Sequence, residues 1–162
     1  MASDIFAKIG DIKGESLDSK HRDEIDVMSF SWGASQSGAA AATGGAGAGK
    51  VQFQDFHFTS NTNKASPVLL KACATGEHIK EATITVRKAG ERPLEFLIIK
   101  MNDVLISSYQ VGGGAGANEA LPLDQVSMVF SKVDYSYYPQ KADGSADAPV
   151  TFRFDIKGNK EG

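Results

Sequence analysis

Between Ile25 and Trp32 the large side chains change sides. Ile25 and Val27 fall on one parity, while Met28, Phe30 and Trp32 fall on the other, with Ser29, Ser31 and Gly33 between them. In a strand of period two a flat ribbon cannot accommodate such a change; it demands a bulge or a bend. The change recurs further on, where Val51 and Phe53 oppose Phe56 and Phe58, and again where Val126, Met128 and Phe130 give way to Val133, Tyr135 and Tyr137. A chain of such strands wraps around its core. We therefore expect a mainly β protein, a β-barrel or a tightly packed two-sheet β structure, in which Trp32 fills the core and the small face of Ser29 and Ser31 is presented outward.

The rest of the chain fits one domain over residues 1–162. Asp4 to Gly10 reads as a first strand with Ile5, Ala7 and Ile9 on one face. The following stretch carries Asp18, Lys20, His21, Arg22, Asp23 and Glu24 and reads as a solvated loop. Residues 38–49 are almost entirely Ala and Gly, a loop with no side chain to anchor it that is either disordered or moulded by a neighbour. One flanking helix is expected at about residues 66–75, with Ser66 as N-cap, Pro67 at the first helical position, an apolar stripe of Leu69, Leu70 and Cys73, and Gly76 as a left-handed cap. The run from Leu94 to Met101 suits a strand buried on both faces. The last strand alternates most cleanly, with Val150, Phe152, Phe154 and Ile156 against Thr151, Arg153, Asp155 and Lys157.

Most chemistry is excluded by what the residues fail to form. A net charge of −3 with acids and bases interspersed gives no phosphate-tracking surface, so nucleic acid is not expected as a partner. Cys73 is the only cysteine, which rules out an internal disulfide and fits a reducing compartment; on its stripe it reads as an inert thiol. No signal-peptide core or membrane span is expected. Gly44 to Lys50 has the spacing of a phosphate loop, but Val51 stands where the Mg²⁺-binding hydroxyl belongs and a strand follows where a helix is required. His21, His57 and His78 are scattered; Asp55 and His57 could share a strand face, but no third metal ligand is evident. No serine sits in a nucleophile elbow. No catalytic residue, cofactor or metal is expected, and the chain is read as non-enzymatic.

Several separated segments do carry a resemblance. Ile25 to Gly33, the Gly-rich loop ending Gly49-Lys50, Phe58-Thr59, Ala65-Ser66-Pro67, Asp103 to Ser108 and Tyr138 to Gly144 occur in this order, and together they resemble the Hcp (haemolysin-coregulated protein) family of bacterial type VI secretion systems essentially end to end. The resemblance implies a β-barrel subunit that closes into hexameric rings, which stack into the inner tube of a contractile injector. It implies work inside a contractile sheath beneath a VgrG-type spike, effectors carried in the lumen, assembly from the bacterial cytoplasm and export without a cleaved signal peptide. On that reading Ser29 and Ser31 face the lumen, and Gly38, Ala42, Gly45, Gly49 and Lys50 make ring or stacking contacts. A monomeric ligand-binding β-barrel is the alternative; it would need an internal apolar pocket and self-contained sheets.

Overall fold

The computed structural model describes residues 2–36, 50–118 and 121–162. Strand β8 (Leu94–Gly112) is the element on which the others assemble. Its first half pairs on one side with β7 (His78–Lys88) and on the other with β10 (Lys132–Tyr137), and its second half pairs with β9 (Leu123–Val129). Between the halves Asp103 takes a left-handed φ of 55°, and a bulge at Ser107 shifts the register between Ile106 and Ser108. That bend lets one strand serve two differently oriented parts of a sheet.

From β7 the sheet continues through β1 (Ser3–Ile9) to β2 (Ile25–Asp26). From β9 it continues through β6 (Phe56–Asn61) to β3 (Ser29–Ser31). Beyond β10 lie β11 (Val150–Asp155) and β12 (Lys160–Glu161). The ten strands form one sheet, and β4 (Ala34–Gln36) pairs with β5 (Val51–Phe53) in a separate ribbon. The fold is thus mainly β with one helix, in two sheets. The paired strands of the described residues do not close into a barrel, because β2 and β3 end different branches. What joins those ends is the chain itself. The Val27 N–H donates to the Ile5 carbonyl of β1 at 2.9 Å, and the next N–H, of Met28, donates to the Thr59 carbonyl of β6 at 2.8 Å. The parity change falls at this transfer. Ile25 and Val27 are buried, Phe30 and Trp32 pack half-buried against the core, and Met28, caught at the crossing, is 58% exposed.

Helix α1 (Ser66–Thr75) packs on β8. Its N-cap is Ala65 rather than Ser66, because Asn63 already closes the entry turn: its side-chain oxygen accepts from the Ala65 N–H at 2.8 Å. Ser66 is buried and donates instead to Asp124. That fully buried carboxylate also accepts from the Thr62 hydroxyl at 2.9 Å and the Tyr109 hydroxyl at 2.8 Å, so the helix entry, β8 and β9 share one anion. Burial, and then the bond to Asp124, raise the Tyr109 pKa. Gly76 caps the helix at φ 67° as expected. The buried stripe is Ser66, Leu69 and Ala72, while Leu70 is exposed and Cys73 half-buried, because i, i+3, i+6 is the face that meets the sheet.

The charged stretch 11–24 is a solvated loop only in part: Lys20, Arg22 and Asp23 are exposed, while Gly14, Ser16 and His21 are buried. Gly14 lies so close to the Glu24 carbonyl that a Cβ would come within 2.5 Å of it. The Gly14 and Ser16 N–H groups donate to the carbonyls of Asp23 and Glu24, and the Asp23 N–H donates back to Ser16. Folded on itself, the stretch stacks His21 on Phe6 (4.3 Å between centroids) and sets the imidazole nitrogens against Glu24 (3.0 Å) and Glu95 (2.6 Å). The buried Arg87 guanidinium lies 5.0 Å from the centre of the Phe6 ring and bonds Asp18 at 2.7 and 3.0 Å and Asp4 at 3.2 Å. These bonds hold the Asp18 carboxyl down to about 2 and push Arg87 up.

Two outcomes follow from these ties. Asp124→Ala leaves the Ser66 and Tyr109 hydroxyls without their acceptor, while Thr62 keeps the Pro122 carbonyl at 3.1 Å, and should cost about 3 kcal/mol in urea unfolding. Because the folded Asp18 pKa lies below its ordinary 3.8, its contribution to stability is present above 3.8 and is lost as pH falls toward about 2. Asp18→Asn should flatten the acid limb of the stability profile in that window, as read by denaturant titrations at successive pH values.

Candidate functional site

Ser29 and Ser31 are exposed on β3 and paired with Thr59 and His57 of β6. The pairing extends them into two rows across four strands. Ser29, Thr59, Gln125 and Gln110 form one, and Ser31, His57, Ser127 and Ser108 form the other. Neither row contains Lys, Arg, Asp or Glu. Adjacent members bond to each other: the Ser29 and Thr59 hydroxyls are 2.6 Å apart, and His57 Nδ1 is 3.0 Å from the Ser127 hydroxyl. Asp55 stands at the margin of this face and accepts from Ser107 at 2.7 Å, so Asp55 and His57 go to different partners. Beneath the rows the alternate residues Phe30, Phe58, Val126 and Tyr109 pack inward. A short polar face backed by an aromatic floor can hydrogen-bond diverse surfaces weakly.

Sequence reasoning placed the two serines and missed their six companions. The alternation in His57-Phe58-Thr59 and Gln125-Val126-Ser127 was visible, but the rows exist only through register. The bulge at Ser107 also moves Ser108 and Gln110 onto the face by a parity change that no local pattern marks.

Trp32 behaves as a packing residue. It stacks on Phe53 (5.7 Å, 13°), tilts against Phe130 and Tyr135, and donates its indole N–H to the Gln54 carbonyl at 3.0 Å. The β4–β5 ribbon is held to the sheet by this contact, and its strands are the two arms of the Gly/Ala-rich loop. Lys50 is exposed at the start of β5, whereas Gly38, Ala42, Gly45 and Gly49 lie outside the described residues. Val51 opens a strand, the wrong context for a phosphate loop.

A second face was not anticipated. The cleanly alternating strand β11 leaves much of its apolar side uncovered: Val150 is 69% and Phe152 40% exposed. β11 lies near the margin of the sheet, covered only by the two-residue β12. Phe152 pairs with Tyr135 and Val150 with Tyr137, both of them exposed, and Phe152 stacks on Phe154 at 5.8 Å. The four side chains form one exposed apolar row across β10 and β11.

Among the described residues no group of His, Cys, Asp and Glu is arranged to hold a metal ion, and no helix is long and apolar enough to cross a membrane. The comparisons with known proteins agree with one another. A family model described as "Type VI secretion system effector, Hcp" matches residues 6–137. The chain is 47% identical over 161 residues to Protein hcp1 of Pseudomonas aeruginosa, covering 98% of each. Among solved structures it is similar to Hcp1 from Salmonella typhimurium (34% identity, TM-score 0.79, 99% of each chain). It is also similar to a type VI secretion system effector from Yersinia pestis (34% identity, TM-score 0.76, 94% of this chain and 100% of that one). A structure titled as a type six secretion system protein superposes with a TM-score of 0.90 at 27% identity, over 99% of this chain and 100% of the other. The chain belongs to the Hcp family of type VI secretion proteins.

Proposed function

We propose that the chain closes into hexameric rings whose lumen is lined by the two uncharged rows, and that the rings stack into a tube that conveys effectors. As a member of the Hcp family the chain is a structural subunit of the type VI secretion tube. The observation that carries the lumen reading is the absence of Lys, Arg, Asp and Glu from eight positions spread over four strands. A wall of this chemistry does not trap a passing protein by charge, and Ser29 and Ser31 keep it low. The exposed row of Tyr135, Tyr137, Val150 and Phe152 supplies the contact between neighbouring subunits. The loop positions Gly38, Ala42, Gly45 and Gly49, with Lys50, complete the contacts within or between rings. The partners of this reading are a VgrG-type spike, a contractile sheath and exported effectors. It requires no catalysis, cofactor, nucleic acid or membrane insertion, and it places the chain in the bacterial cytoplasm before assembly and outside it afterwards, without a cleaved signal peptide.

A monomeric ligand-binding barrel fits less well. The interior is filled by fully buried side chains such as Phe56, Phe58, Ile84, Met101 and Met128, and the concavity beside β1, β7 and α1 is an open groove rather than an enclosed pocket.

Sedimentation should find a hexamer at micromolar concentration, and monomer alone would refute the ring. Phe152→Glu should weaken the ring roughly thirty-fold or more (about 2 kcal/mol) while leaving the thermal unfolding of the subunit within a few degrees, since the side chain is already part-exposed. Ser31→Gln projects a longer side chain from every subunit into the lumen. Rings should persist, with binding of a small cognate effector weakened by about ten-fold. Full binding would remove Ser31 from the lumen, and loss of the rings would place it at a subunit contact instead.

A further inference from the structure

We propose that copies of this chain join end to end, the lysine-rimmed groove at one end of the β1–β7 ladder receiving the acidic, Leu17-bearing corner at the other end of the next copy. This rests on the tube reading above and assigns the stacking contact to particular residues. The ladder runs from Ser3 opposite Lys88 to Ile9 opposite Ala82, so its two ends lie about 20 Å apart. They differ in charge.

At the first end a depression is lined by Asp4, Asp18, Asp26 and Arg87, with Leu17 beside them at 82% exposure. Both terminal nitrogens of Arg87 are already committed, to Asp18 and Asp4, which leaves Asp26 with no cation and with two like charges nearby. Desolvation, and then Asp4 and Asp18, raise its pKa. This corner is short of a positive charge, and it presents an aliphatic side chain almost wholly to water.

At the other end lies an open groove of about 890 Å³ between β1, β7 and the entry of α1. Lys8, Lys13, Lys64 and Lys80 stand around it, and among the described residues none of them is in an ion pair. Three acids line it as well: Glu81 lies 3.7 Å from Lys100, which is not part of the groove, and Asp11 and Glu77 leave the lysines in excess. The floor is apolar, formed by Ile12, Ile79 and Val68, the last 42% exposed. A leucine collared by carboxylates on one copy thus matches an aliphatic floor collared by ammonium groups on another. Because the matching surfaces sit at opposite ends of a single ladder, the contact is heterologous, and in the tube reading it joins one ring to the next rather than neighbours within a ring.

The test traps the contact. In a Cys73→Ser background, Leu17→Cys and Val68→Cys place a thiol at each end, both at exposed positions outside the core. Oxidation of the full-length protein at low ionic strength should give a disulfide-linked series extending beyond the mass of one ring, visible as tubes by negative stain. Adding Lys13→Glu and Lys64→Glu should cut the yield about ten-fold, as should high salt, and adding Asp26→Lys to that chain should restore it. No intersubunit disulfide, a product that stops at the mass of one ring, or indifference to charge reversal would overturn the proposal. If the wild-type protein sediments only as a monomer, the ring reading fails by itself; an open-ended series formed from those monomers would still support the end-to-end contact.

Discussion

Two consecutive backbone N–H groups hold this fold in shape. Val27 donates to β1 and Met28 to β6, so the ends of the sheet are joined by one strand changing partners rather than by a ladder. Each donor satisfies a buried or half-buried carbonyl of a different strand, and the geometry follows: Ile25 and Val27 point into one half of the core, Phe30 and Trp32 into the other. A slip of one residue would expose both sets at once, which is why the register here is strongly specified. The polar rows depend on the same transfer. Ser29 and Ser31 face outward only because the chain has turned over between Val27 and Phe30.

The buried polar groups do a different job. Asp124 ties α1 to the sheet through hydroxyls rather than through aliphatic area, and the helix needs this because its buried stripe is thin: one leucine, one alanine and one serine. Elsewhere, Arg87 and His21 both pack against the Phe6 ring and gather Asp4, Asp18, Glu24 and Glu95 around it. Breaking such a network from one side leaves the buried Arg87 without its partners, so Asp18 and His21 anchor the charged stretch 11–24 to β1 and β7.

Local patterns carried the strands, the helix with its glycine cap and the bend at Val27, because each depends on neighbours within a few residues. The patterns misled where a residue's surroundings come from far away. Ser66 has the residue type and position of an N-cap, but Asp124, distant in sequence, claims its hydroxyl. Asp18, Lys20 and Arg22 look alike as surface charges, yet only Asp18 meets Arg87, 69 positions on. The cleanest alternation of all, in β11, implied a buried face that the isolated subunit does not bury. Of the candidate site, two serines were legible and the rows they belong to were not, since rows are a property of register.

That last mismatch is itself informative. A strand alternating Val150, Phe152, Phe154 and Ile156 carries the pattern of a half-buried element, and patterns of this kind arise where one side is removed from water. In the subunit Phe154 and Ile156 reach the core and Val150 and Phe152 do not, so the apolar side is continuous while its cover stops halfway. The same subunit leaves Tyr135 and Tyr137 beside them, aromatic residues of the type enriched where protein surfaces meet. Meanwhile the two rows across β3, β6, β9 and the end of β8 contain no Lys, Arg, Asp or Glu. A protein that worked alone would gain nothing from having one face apolar and uncovered and another free of charge. Those two surfaces make sense together when the first is closed by a neighbour and the second is what the closed assembly presents.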